Sequence, residues 1–348
     1  MPRSALRSTP ITIDESLEAI NDAFYEKGWT DGLPVVPPTA ERIQRMLDYV
    51  RRGPSEVVAH LPPTDGEATI EKIAVNAVMA GCRPDYMPVL IAAVEAITEP
   101  RFNLNAIQAT TNPVAPLTII NGPIRKELNV NCGSNALGQG WRANATIGRA
   151  IRLILVNVGG GLPGTVDKAT LGMPGKYSFC VGEDEEESPW EPLHVERGLP
   201  GETSAVTTVG AAGTANVAAS YSRARVILAC VASAMGFVGS NNWPYGGEPL
   251  VILCPSHARI LAKEGYTKEK LKLALYERTI RPASDFEPEY LEHMLARNKQ
   301  VVNGKVTLVH KPEDFMVVVA GGPGGIHSTV LATFGETWAV TKPVARPA

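Results

Sequence analysis

Residues 116–128, PLTIINGPIRKEL, read as a short β-branched run, a Pro/Gly turn and then a helix. Two later stretches share the pattern: PLVILCPSHARIL at 249–261 and FMVVVAGGPGGIHSTVL at 315–331. Strand, glycine- or proline-rich turn and helix, repeated along a chain, is the pattern of α/β architecture. The expected fold is α/β: a mixed or mostly parallel sheet flanked by helices, with glycine-rich strand-to-helix turns. The three matches are short, so a true internal repeat and a chance likeness both stay open.

Outward from these segments, residues 1–12 read as a loose N-terminal arm. DESLEAINDAFYEKG has helical spacing, with Leu17, Ile20 and Phe24 on one face. WTDGLPVVPPT is extended and fixed by proline. Thr39 is placed to cap the helix AERIQRMLDYVRR, HLPPTDGEAT is a turn-rich loop, and an apolar helix is expected from about Ile70 to Ala80. GRAIRLILVNVGGGLPG is a helix or a strand ending in glycines, and the polar stretch after it, from Asp167 to about Gly198, reads as irregular. TKEKLKLALYERTIRP and EPEYLEHMLARNKQ read as amphipathic surface helices. A division near residue 200 would separate a first half, 13–200, from a second, 201–348, although one domain also fits. The small residues of GAAGTANVAAS suit a subunit or domain interface, so a homo-oligomer or a partner subunit is an expectation.

The 348 residues are 44% hydrophobic and 20% charged, the balance of a globular protein with a substantial core. A net charge of −3 and only 6% aromatics argue against nucleic acid and against an anionic membrane as partners. No run of about eighteen apolar residues suggests a membrane-spanning helix. The start, MPRSALRSTPITIDES, has two arginines and no apolar segment behind them, unlike a secretory signal, so cytoplasmic is the default expectation. Five cysteines without a CxxC pair fit reduced thiols better than a disulfide framework.

Four places carry chemistry-bearing residues. In NAVMAGCRPDYMPVL, residues 76–90, Gly81 can end one helix while Pro84 and Asp85 begin the next. Cys82 would then sit at a helix N-terminus beside Arg83, where positive partial charge favours the thiolate. The competing reading is a small buried hydrophobe, the commonest fate of a free cysteine. The segments WTDGLPVVPPT, AVNAVMAGCRPDYMPVL, NALGQGWRANATIGRAIRLILVNVGG and ESPWEPLHVERG resemble a largely uncharacterised bacterial family, over most of the chain. Some of its members carry selenocysteine at the position of Cys82. The resemblance implies redox or nucleophilic work at that sulfur, and implies no substrate, cofactor or fold.

The second place is NCGSNALGQGWRAN, residues 131–144. Asn131, Cys132, Gly133, Ser134 and Asn135 form a turn whose amides suit an anion, with Arg142, Asn144 and Arg149 nearby in sequence. It matches neither a Walker A loop nor GxGxxG, and a structural Gly/Asn loop is the plain alternative. The third is YSFCVGEDEEESPWEPLHVERG, where Cys180, Glu183, Glu186 and His194 are metal-capable but lack zinc-site spacing. An acidic run is usually solvated, so no metal is assigned, while Glu183 stays a candidate proton carrier. The fourth is the pair CPSHA and GGPGGIHS, each placing a histidine, His257 or His327, just after an expected strand. Gly321, Gly322, Gly324, Gly325 and Ser328 would let backbone approach a ligand. Against this, each histidine can simply cap its helix or bond a carbonyl. Cys230 reads as core.

The leading expectation is a thiol-dependent enzyme acting on a small anionic substrate, with Cys82 as the reactive sulfur. Proton transfer would fall to His327, His257 or Glu183, with Arg83 stabilising the thiolate. Oxidoreductase chemistry is favoured over lyase or hydrolase chemistry, and no cofactor is identified. Two alternatives are a metal-dependent enzyme with Cys, His and Glu ligands, and a non-catalytic small-molecule binder or complex subunit.

Overall fold

A computed structural model describes residues 6–14, 16–219, 223–297 and 299–346. Its strands, in chain order, are β1 (Val57–Leu61), β2 (Gly66–Thr69), β3 (Ala115–Asn121), β4 (Cys180–Gly182), β5 (Ala205–Ala211) and β6 (Ala215–Ala218), then β7 (Leu250–Leu253), β8 (Arg281–Pro282), β9 (Lys305–Val306), β10 (Met316–Val319), β11 (His327–Leu331) and β12 (Val340–Pro343). Two four-stranded mixed sheets form the centre, in the orders β12-β5-β3-β4 and β10-β7-β11-β6. β1 with β2 and β8 with β9 make two small antiparallel pairs outside them.

The two sheets follow one plan. A central strand, β3 or β7, pairs parallel on one side with β4 or β10 and antiparallel on the other with β5 or β11. A fourth antiparallel strand completes each sheet, and these last strands are exchanged. β5 runs on into β6 of the second sheet, and β11 is followed by β12, which returns to the first. The chain thus changes sheets after β5, beyond residue 200, and crosses back before its end. Of GAAGTANVAAS, residues 210–218 lie in these strands and the link between them, Ala219 follows β6, and Ser220 is outside the described residues.

Side-chain alternation along the strands builds the layers. Leu117, Ile119, Val181, Val209, Leu250, Ile252, Met316 and Val318 share one apolar cluster between the sheets. Their strand neighbours face outward: Ile120, Cys180 and Val206 into a helical layer on the first sheet, Val251, Leu253, Val317 and Val319 into another on the second. The first layer holds the helices Ala40–Val50, Ile70–Ala80, Met87–Ile97 and Arg142–Asn157; the second holds Ala224–Met235, Pro255–Lys263 and Lys268–Thr279. Burial on both faces explains why the sheet strands read as unbroken apolar runs.

Local chemistry sets the helix ends. Thr39 and Thr69 accept from the amides of Arg42 and Lys72, and Gly81 takes the left-handed conformation (φ 91°) that closes Ile70–Ala80. GRAIRLILVN is helical, inside Arg142–Asn157. The third repeat-like segment departs from expectation: FMVVVAGGPGGIHSTVL is strand, turn, strand rather than strand, turn, helix. Gly321 and Gly324 have positive φ and Pro323 offers no amide, so a helix does not start there. The following residues pair instead with β6 and β7. The N-terminal arm is tied down in part, since the amides of Arg7 and Ser8 donate to the Glu71 carboxylate. Among the described residues, no helix is long and apolar enough to cross a membrane.

Candidate active site

The Cys82 turn folds as its residues suggest, but the sulfur is not set up as a thiolate. Arg83 turns away, pairing with Asp85 and lying over the Tyr86 ring at 5.4 Å. Cys82 is 6% exposed and its Sγ–H donates to the Thr146 carbonyl at 3.2 Å. Burial pushes the thiol up to about 12, against smaller opposing effects of Thr146, Arg142 and Arg149. The expectation of an ionised Cys82 beside Arg83 is therefore corrected. Burial disfavours the thiolate more than Thr146, Arg142 and Arg149 favour it, and the neighbouring Arg83 guanidinium is already paired.

A different cysteine has the expected surroundings. Cys254 follows β7 and is the N-cap of the nine-residue helix Pro255–Lys263, with proline at the first helical position. His257 lies in that helix's first turn and reaches back over the N-terminus. Its Nδ1 is 2.7 Å from Ser328 Oγ, and its Nε2 is 3.0 Å from the Ala219 carbonyl. A carbonyl only accepts, so Nε2 carries a proton and Nδ1 is the basic nitrogen of the neutral ring. Antiparallel pairing of β11 with β7 brings Ser328 to the end of β7, where its Oγ accepts the Cys254 amide at 3.1 Å. In the neutral state the Cys254 Sγ–H donates to the Gly325 carbonyl at 3.4 Å.

Burial alone would raise the Cys254 thiol. The His257 ring and amide beside it, the histidine's charge and Ser328 outweigh it and hold the thiol below its ordinary value. Burial likewise lowers His257, yet Cys254 and the Ala219 carbonyl carry it above its ordinary value. The two shifts describe one coupled pair in which the proton moves toward the ring. Cys254 at 3% and His257 at 1% are as shielded from solvent as Cys82, but Cys82 is the more deeply packed, so a smaller burial cost and its partners together set Cys254 apart.

Several residues singled out from the sequence converge on Cys254. Gly321 and Gly325 lie against its side chain, so that a Cβ on either would come within about 4 Å of the Cys254 Cβ. The Gly321 amide donates to the Cys132 carbonyl at 2.8 Å, and Gly322 packs so closely on Ser134 that an added Cβ would fall 2.3 Å from Ser134 Oγ. The 131–135 turn thus backs the 321–325 loop, and that loop lies against the sulfur. Among the described residues, the amides of Gly322, Gly324 and Gly325 have no hydrogen-bond acceptor.

Other candidates serve the scaffold. Asn131 donates its side chain to Ser134 O and accepts from the Gly133 amide, while Asn144 holds the Asn131 backbone from both sides. Asn135 turns with φ 60°, its side chain on Gln139. Arg142 donates twice to the Gly81 carbonyl, and so holds the Cys82 turn rather than the 131–135 turn. Cys132 faces the Arg125 guanidinium at 3.3 Å, but burial and Asp184 raise its thiol. His327, expected after a strand, begins β11, is exposed, and its side chain makes no hydrogen bond among the described residues.

Glu183 is fully buried at the end of β4, accepting from Asn121 Nδ2 (2.7 Å) and the Leu193 amide (2.8 Å) on Oε2. Burial raises its carboxyl, against Lys268, Leu193 and Asn121. The next residue, Asp184, donates its amide to Val319 O at 2.7 Å, so the ends of β4 and β10 meet. The acidic run is not free in solvent: Glu186 pairs with Arg125 and Lys126, and Glu187 with Arg259. Among the described residues, no three His, Cys, Asp or Glu side chains gather as a metal ion would need.

Sequence reading weighed His257 and passed over the cysteine three residues before it. The available signal was a cysteine between an apolar strand and Pro-Ser-His, which puts sulfur and imidazole on the same first helical turn. No family model, curated protein or solved structure matches the chain.

Proposed function

We propose that the chain is a thiol-dependent enzyme acting on a small anionic molecule, with Cys254 as nucleophile and His257 as its proton partner. One observation carries the reading: a cysteine at a helix N-terminus whose amide shares Ser328 Oγ with the Nδ1 of the histidine in its own first turn, the far ring nitrogen being fixed by a carbonyl. That constellation favours a thiolate–imidazolium pair over the neutral thiol and ring. The thiolate attacks an electrophilic carbon, the C–S bond forms, and the leaving group departs with the proton from His257 Nδ1. The unused amides of Gly322, Gly324 and Gly325 suit the developing oxyanion or an anionic group of the substrate. Ser328 keeps the ring oriented and steadies the Cys254 backbone. The loop against the sulfur must give way for a substrate to enter.

The selenocysteine resemblance attaches redox chemistry to position 82. The burial of Cys82, which raises its thiol, withdraws support for it there, and the thiol reading rests on Cys254. An aryl acetate or aryl thioester tests it. The protein should gain one acetyl group on the Cys254 peptide, should lose that labelling in Cys254→Ser, and should label about tenfold more slowly in His257→Gln. Acetylation spread over other cysteines, or undiminished in Cys254→Ser, defeats the proposal.

A further inference from the structure

Three cations and two carboxylates meet where the helix Arg142–Asn157 faces the segment 163–178. Arg149 grips Asp31 through Nε and Nη2, both at 2.8 Å. Lys176 Nζ pairs with Asp167 at 2.5 Å. Each carboxylate thus has its own cation. Arg152, one turn beyond Arg149 on the same helix face, is the third cation and has no carboxylate of its own. It uses only Nε, on the Lys176 carbonyl at 2.8 Å. Its Nη1 and Nη2 meet no acceptor among the described residues, and they are not among the polar atoms sealed from solvent.

The surroundings penalise that leftover charge. Burial lowers Arg152, with Asp167 and Asp31 offsetting part of the effect. Burial lowers Lys176 as well, against Asp167, and neighbouring Arg152 adds to the shift. A guanidinium keeps its proton at ordinary pH, so Arg152 stays charged, and its two unbonded Nη groups, which reach solvent, are open to an anion.

We propose that Arg152, with Lys176 beside it, binds a small oxyanion, a carboxylate or a phosphate. Two free Nη groups on one planar fork match two oxygens of such a group. The site lies roughly 12 Å along the helix from Asn144, which bonds the turn backing the Cys254 loop. It therefore does not depend on the thiol chemistry.

The test is calorimetric titration of the whole chain with inorganic phosphate and, separately, acetate, at constant ionic strength. Saturable binding of either ion is expected, weakened at least about tenfold in Arg152→Gln. Saturation by phosphate or by acetate identifies which of the two sources the site prefers. If Arg152→Gln does not fold, Arg152→Lys keeps the charge but loses the fork and should bind several-fold more weakly. The wild-type Arg152 guanidinium resonances should also shift on saturation. Absence of saturable binding by both ions, or affinity unchanged in the Arg152 variants, overturns the proposal.

Discussion

Asn121 and Cys254 hold the same place in two sheets built on one plan. The Ile120 carbonyl just before Asn121 accepts the Glu183 amide, and the Leu253 carbonyl just before Cys254 accepts the Ala320 amide. In the first sheet that position carries an amide bound to Glu183 and Glu185; in the second it carries a thiol facing His257. The ends of parallel strands are where open α/β sheets place ligands, and one of these two ends carries a thiol.

Replacing His257 by Gln should remove the ring that offsets the cost of burying a thiolate. The Cys254 thiol then rises, and its alkylation at neutral pH slows about tenfold for each unit of rise. Rates by mass spectrometry of the Cys254 peptide check this. An unchanged rate would mean that the helix N-terminus alone activates the sulfur.

Gly322→Ala should destabilise the fold by about 1–3 kcal/mol, because its Cβ meets Ser134 Oγ at 2.3 Å and the Ser134 Cβ at 3.1 Å. Ser134→Gly removes both atoms, so the double variant should recover part of the loss. Denaturant unfolding of the four proteins in a cycle reads the coupling.

Glu183 predicts a pH dependence. Its folded-state carboxyl stands above the ordinary 4.5 because it is buried. The stability it contributes is fully present below 4.5 and is lost as pH rises through the raised folded value. Thermal melting between about pH 4 and 8 should therefore fall more steeply with pH in the native chain than in Glu183→Gln, which has no charge to bury.

Cys82→Ala should leave Cys254 alkylation unchanged and cost about 1–2 kcal/mol in stability, the mark of a packing residue. Parallel alkylation and unfolding measurements separate the two effects. A fall in Cys254 reactivity would link the two sulfurs in a way their positions do not suggest.

Much of the fold was legible because its strands are apolar runs closed by Gly/Pro turns. PLTIIN and PLVIL proved to be equivalent strands. GGPGGIHSTVL misled because only partner strands, not local sequence, decide whether residues after a glycine turn extend or coil. The exchange of β6 and β12 between sheets is likewise a long-range pairing without a local signal. The glycines of 321–325, Ser328 and His257 stand out in the sequence, and the structure gathers them around Cys254. Cys82 drew attention through its helix-end context, but the Thr146 carbonyl that meets it comes from a residue 64 positions away. Cys254 has its partner three residues on, which sequence does show, and its serine 74 residues away, which sequence does not.

The most direct measurement is the alkylation rate of each of the five cysteines as a function of pH. Cys254 should react fastest at neutral pH, with a midpoint below the ordinary 9.0, while Cys82 stays slow until about 12. A lead by Cys82 at neutral pH, or a Cys254 midpoint at or above 9.0, would contradict the account.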